Sequence, residues 1–160
     1  KNLKQHIEDS LSVSLMIGEY VVDLGSGGGL PGIPLAITNP QKQFLLVESN
    51  TKKASFLLNT VTKLNLHNTE VINDRIENID SSNFPDRFDI VSRAVGSIEA
   101  NIALTEQLLK KKGVYLKLMK TEDQFFKEHL PTGYNVKKID KYLTKTKDKT
   151  RILVTIEKVQ

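Results

Sequence analysis

Residues 21–37 read VVDLGSGGGLPGIPLAI, five glycines and two prolines in seventeen positions, entered through a short apolar run. A turn so poor in side chains brings bare backbone up to a ligand and aims successive amide N–H groups at it. It also sets the local order of elements. The apolar, β-branched entry reads as a strand, and Pro31 and Pro34 suit the first turns of a helix that leaves. Spacing excludes two phosphate-binding loops of this general kind. The dinucleotide pattern G-x-G-x-x-G starts at Gly25 and Gly27 but meets Leu30 where its third glycine belongs. The ATP-type loop requires G-K-[ST], and the nearest downstream lysine is Lys42.

The alternation of strand and helix continues beyond the loop. Leu3, Ile7, Leu11 and Leu15 predict an amphipathic helix over 3–17, ended by Gly18. YVVDL (20–24) is the first strand, LPGIPLAI (30–37) a helix and QFLLVES (43–49) the second strand. A helix over 50–64 follows, capped by Asn50 or Thr51, with Ala54, Leu57, Leu58, Val61 and Leu64 on one face. TEVIN (69–73) and FDIVSRA (88–94) are further strands. Ser97 caps a helix that Gly113 stops, and VYLKLM (114–119) is a fifth strand. The tail changes period: YNVKKIDKYL and TRILVTIEKV alternate apolar and polar residues, as half-exposed antiparallel strands do. These elements predict a single α/β domain over 1–160. Its sheet is seven-stranded and mostly parallel, with helices on both faces and an antiparallel C-terminal edge hairpin.

Composition narrows the chemistry. The 160 residues include no cysteine, which removes disulfides, thiolate metal sites and covalent thiol catalysis and fits a reducing compartment. No apolar run approaches the ~18 residues of a membrane-spanning helix and no signal peptide opens the chain, so a cytoplasmic location is expected. The sequence opens on Lys1, and an N-terminal piece is expected to lie outside it. The net charge of +4 is unevenly spread: from Lys110 to Arg151, thirteen lysines and arginines stand against five acids. Such a face suits a phosphate-rich partner, or is a solvated lysine surface with none.

Asp23, Gly25, Gly27 and Gly29 spell D-x-G-x-G-x-G, which resembles the first motif of Rossmann-like S-adenosylmethionine (SAM) methyltransferases. That resemblance implies a loop around the methionine part of the donor, with Asp23 ordering the loop and meeting positive charge. Glu48 closes the second strand nineteen residues after Gly29. An acid there takes ribose hydroxyls through charge-assisted hydrogen bonds. The longer pattern is more specific. DLGSGGGLPGIPLAI, His6, Asp9 and Ser10 in HIEDSL, Glu48 with Ser49, RIE at 75–77 and FDIVSRA at 88–94 occur in order. Together they resemble the RsmG (GidB) family of bacterial 16S ribosomal RNA guanine-N7 methyltransferases over about residues 1–120. The resemblance implies SAM as cofactor, S-adenosylhomocysteine as product, 16S ribosomal RNA or the small-subunit particle as partner, and no metal. It places cofactor contacts on Gly25, Leu30, Glu48, Ile76, Glu77 and Arg93. The chain departs from the family in two places. Helices that usually precede the His-x-x-Asp-Ser segment are missing, and LKLMKTE offers Lys117 and Lys120 without the glycine that follows the family's lysine.

Guanine N7 carries an in-plane lone pair and no proton, so methyl transfer to it requires alignment rather than a general base. No catalytic residue is therefore assigned beyond positioning groups, with Arg93 the candidate at a strand's carboxyl end. Ile76 is expected against the adenine and Glu77 at its amino group. Arg75 contacts RNA phosphate or pairs with Glu77 or Asp74. His6 and Asp9, three apart on one helix face, form a structural pair or touch RNA, as Lys117 and Lys120 would. Tyr115, Phe125 and Phe126 are expected in the core. Two other readings stay open: a SAM methyltransferase for another substrate, and an RNA-binding or ribosome-associated module without turnover.

Overall fold

The computed structural model describes residues 3–93, 96–142 and 150–160. Helix α1 (Leu3–Leu11) and a 3-10 turn (Ser14–Met16) lead into β1 (Tyr20–Leu24), α2 (Gly32–Thr38), β2 (Gln43–Val47), α3 (Thr51–Lys63) and β3 (Thr69–Ile72). A second 3-10 turn (Ile76–Asn78) precedes β4 (Phe88–Arg93), α4 (Ile98–Leu109) and β5 (Val114–Thr121). The chain finishes with the short α5 (Glu122–Phe126), β6 (Tyr134–Tyr142) and β7 (Arg151–Lys158). All seven strands join one sheet in the order β3-β2-β1-β4-β5-β7-β6. The first five run parallel, and β7 lies antiparallel between β5 and β6. The expected sheet and its edge hairpin are both present.

Central strands need apolar side chains on both faces, which explains consecutive apolar residues in β1 (Val21, Val22), β2 (Phe44, Leu45, Leu46, Val47) and β4 (Ile90, Val91). One face carries Val22, Leu24, Val47, Ile90 and Leu116 against Ile98, Ile102 and Leu109 of α4. The other carries Val21, Phe44 and Val91 under Leu35 and Ala36 of α2, and Leu46 under Leu57 and Val61 of α3. Helices therefore leave β1 and β4 toward opposite faces, and a crevice opens at the carboxyl ends of these neighbouring strands. Two caps fix where helices begin. Asn50 accepts the Lys53 amide and Ser97 accepts the Ala100 amide, as their side-chain chemistry predicts.

Three local expectations are corrected. The first helix stops at Leu11 rather than running to residue 17, and Leu15 is 98% exposed. The Ser10 and Ser12 hydroxyls bond back to the His6 and Glu8 carbonyls, and the chain then turns so that Val13 and Ile17 reach the core. On α3 the buried stripe is narrower than predicted: Ala54, Leu57 and Val61 are buried, whereas Leu58 is 57% exposed and Leu64 is also outside. Helix α5 was not predicted, although Thr121 and Gln124 form the capping box that announces it. Ala94 and the tail lysines 145, 147 and 149 lie outside the described residues. Among the described residues no helix is long and apolar enough to cross a membrane.

Replacing Leu57, fully buried beneath α3, by alanine is expected to lower stability by about 2–5 kcal/mol in urea unfolding. Leu58→Ala on the same helix should change it by no more than about 0.5 kcal/mol.

Candidate active site

The glycine loop is tied to the sheet before it meets anything else. The Gly25 and Ser26 amides donate to the Val47 carbonyl at 2.9 and 3.3 Å, and the Gly29 amide closes the turn on Ser26 at 2.7 Å. Gly29 sits at φ 91°, and a Cβ there would stand 2.5 Å from Ile33 Cδ1. The loop then enters α2 through a second close approach. A Cβ at Gly32 would lie 2.6 Å from Asp23 Oδ2, the oxygen that accepts the Gly32 amide at 2.9 Å. Only glycine lets the helix start this near the strand.

Asp23 is fully buried, and its Oδ1 has no hydrogen-bond partner among the described residues. Burial pushes its carboxyl up to about 7, against the opposing pull of the Gly32 amide and Ser26. Glu48, 7% exposed at the end of β2, accepts the Gly27 amide on Oε1 and the Asn50 amide on Oε2, each at 2.9 Å. One carboxylate thus holds the glycine loop and the start of α3 together, and each oxygen keeps acceptor capacity for a further donor. Ile76 is buried beside Val47 and Ile98 at the crevice floor. Next to it Arg75 and Glu77 form an exposed ion pair at 3.2 Å, while the Asp74 carboxylate takes the Arg75 amide and the Asn78 side chain. Those two hydrogen bonds hold Asp74 below the usual carboxylate range.

Arg93, the last residue of β4, contacts His6 Nδ1 through Nη2 and lies 3.6 Å from Asp9 Oδ2 through Nε. Its charge also acts on Asp23. Asp9 is held more tightly by Arg151, which donates to Oδ2 at 2.9 Å and to Oδ1 at 3.3 Å. The Tyr142 hydroxyl belongs to the same group: burial and then the Asp9 charge push it up to about 12. Asp23, Gly25, Gly27, Gly29, Leu30, Glu48, Ile76 and Arg93 therefore converge on one end of the sheet, and α1 brings His6 and Asp9 to it. Sequence reasoning missed Arg151 and Tyr142. Both sit in the tail hairpin, and no local pattern links them to α1.

The side chains of the two lysines are largely buried. Lys117 aligns with Val91, inside the Arg93 level, pairs with Asp89 at 3.0 Å and donates to the Met16 carbonyl. Asp89 also accepts the Gly18 amide at 2.7 Å, so this pair pins the turn after α1. Lys120 is buried, 2.7 Å from Glu128 Oε2 and 3.5 Å from the Gly96 carbonyl; Glu128 Oε1 takes the Ile98 amide. The three lysines of β6 each have an acidic neighbour: Lys137 pairs with Glu157, Lys138 with Asp140 and Lys141 with Glu122. Lys110, Lys111 and Lys112 precede β5 and so lie at the opposite end of the sheet from the loop. Phe125 packs on the core, but Tyr115 is only half-buried, under Lys137, and Phe126 is 72% exposed, both contrary to expectation.

The profile of the family described as "rRNA small subunit methyltransferase G" matches residues 1–154. A curated relative called ribosomal RNA small subunit methyltransferase G, from Hydrogenovibrio crunogenus, is 39% identical over 159 residues, 98% of this chain and 72% of its own. A protein of the same name from Legionella pneumophila is 43% identical over 115 residues, 71% of this chain; the match spans 54% of that relative's length. Among solved structures, a SAM dependent methyltransferase from Aquifex aeolicus superposes with a TM-score of 0.66 at 15% identity, covering 98% of this chain and 94% of that one.

Two outcomes test the geometry. Because the folded Asp23 keeps its proton from about pH 3.8, where the unfolded chain loses it, up to about 7, stability contributed by this group falls as pH rises through that window. Asp23→Asn should remove that fall, so urea-unfolding curves taken across the window should converge or cross; parallel curves contradict the assignment. Gly29→Ala should cost about 1–3 kcal/mol of stability, since alanine is strained at this φ and clashes with Ile33.

Proposed function

The chain belongs to the rRNA small subunit methyltransferase G family, and from that membership and the crevice geometry we propose that it methylates N7 of a guanine in 16S ribosomal RNA with SAM as donor. The observation that carries the reading is Glu48, whose two oxygens bind the glycine loop and the α3 cap while facing the crevice at the carboxyl end of β2. The surroundings fit a sulfonium nucleoside. The loop is open at Gly28, where an added Cβ would meet nothing within 4 Å, and the buried Asp23 Oδ1 has no partner among the described residues.

When bound, SAM supplies a methyl group made electrophilic by its sulfonium. Glu48 would accept its ribose hydroxyls, Ile76 would wall the adenine, and Glu77 would receive the adenine amino group at the rim. Asp23, Gly25, Gly27, Gly29 and Leu30 would wrap the methionine end, with Arg93 beside it. For the guanine, the chain's task is to hold N7 in line in a partly dry crevice, because no proton has to be removed. Positive charge passes to the purine as transfer proceeds, and carboxylates at the crevice favour that shift more than a base would. Arg75, exposed at the rim, is assigned to RNA phosphate. His6 approaches the RNA through α1, whereas Asp9, buried against Arg151 and Arg93, holds α1 in place, and Lys117 and Lys120 act by holding the loops they pin. Residues 1–160 are taken as one methyltransferase domain working in the cytoplasm on 16S ribosomal RNA or the small-subunit particle.

Labelled methyl from SAM should enter 16S ribosomal RNA and not free nucleosides or protein extract, and reductive chain cleavage at N7-methylguanine should map it to one guanine. Label in protein, or at another atom of the RNA, overturns the substrate. Glu48→Ala should weaken SAM and S-adenosylhomocysteine in calorimetry by about ten-fold or more, the range of a lost charged hydrogen bond. Unchanged affinity removes its ribose role.

A further inference from the structure

Asp9 is one buried carboxylate shared by two guanidinium groups. Arg151 takes both of its oxygens in a fork, while Arg93 Nε stays at 3.6 Å, buried and without a hydrogen-bond partner among the described residues. Asp9, Arg93 and Arg151 come from α1, β4 and β7, and all three side chains are at least four-fifths withdrawn from solvent. Two cations and one anion leave a surplus positive charge at the carboxyl end of β4, next to the glycine loop. Buried charge of this kind is costly unless something answers it.

We propose that Arg151 is a positioning residue: by occupying both oxygens of Asp9 it keeps that carboxylate from closing on Arg93, and so leaves the Arg93 guanidinium to meet the carboxylate of the donor's amino-acid end. The inference rests on the donor reading above and adds the reason Arg93 is available to it. A planar guanidinium fork saturates a carboxylate geometrically, which a point charge does not. Without that fork, the guanidinium beside Asp9 is that of Arg93, 3.6 Å away. Their pairing would turn Arg93 toward α1 and neutralise the charge that the ligand needs.

The test compares two probes on the whole chain: S-adenosylhomocysteine, and 5′-methylthioadenosine, which has the same nucleoside and sulfur but no amino-acid end. Arg151→Gln should weaken S-adenosylhomocysteine by about five-fold or more and leave 5′-methylthioadenosine within about two-fold, as for groups coupled through a shared partner. Adding Asp9→Asn to Arg151→Gln should restore most of the loss, because no carboxylate remains to capture Arg93. Equal weakening of both probes, unchanged binding of S-adenosylhomocysteine, or failure of the double variant to recover overturns the proposal. If Arg151→Gln does not fold, Arg151→Lys serves: a smaller loss confined to S-adenosylhomocysteine supports the role, and a loss shared by both probes sinks it. Wild-type protein that binds neither probe overturns the donor reading and this inference with it, whereas a wild type that binds both while Arg151→Gln matches it overturns this inference alone.

Discussion

A carboxyl group with almost no water around it sets the distance between the first strand and the first crossover helix. Asp23 accepts the Gly32 amide across a gap that a single methyl group would close. Everything near the loop inherits that spacing. The Gly29 turn must fold tightly to reach α2, its amide closing on Ser26 and its carbonyl taking the Ile33 amide. The loop amide at Gly27 is thereby held where Glu48, one strand over, can bond it. A charged aspartate would find this position expensive, and the group keeps its proton to near neutrality instead.

The distribution of charge follows from that economy of water. At the carboxyl end of the sheet, carboxylates and guanidiniums come from five different elements and are mostly buried, so their interactions are weakly screened. Lysine, a compact and strongly hydrated cation, is used differently in this chain. Lys117 and Lys120 bury their ammonium groups against Asp89 and Glu128 and bond backbone carbonyls, which makes each a brace for a loop. The exposed lysines of β6 each have an acidic neighbour.

What the sequence revealed was local. The strand–loop–helix order, the caps at Asn50 and Ser97, and Glu48 at the end of β2 all depend on residues within a turn or two of each other, or on an unbroken apolar run. The hairpin was legible through its period of two. Hidden features were those decided by distant partners. Arg93 meets His6 across 87 positions, and Lys117 meets Met16 across 101; no spacing rule reaches that far. Leu15 failed for a related reason: helical periodicity ranked it with Leu11, but the core needed Val13 and Ile17, and the chain unwound to deliver them.

The bond between Asp9 and Arg151 spans 142 positions and joins the first helix to the opening residue of the final strand. During synthesis the chain emerges from its amino terminus, so the glycine turn, Glu48 and the five parallel strands can form while Arg151 has yet to be added. Closing so long a loop has an entropic cost that only the completed hairpin can offset. The clamp that Arg151 places on α1 accordingly closes only once β7 has joined the sheet, although α1 already has α2 to rest on.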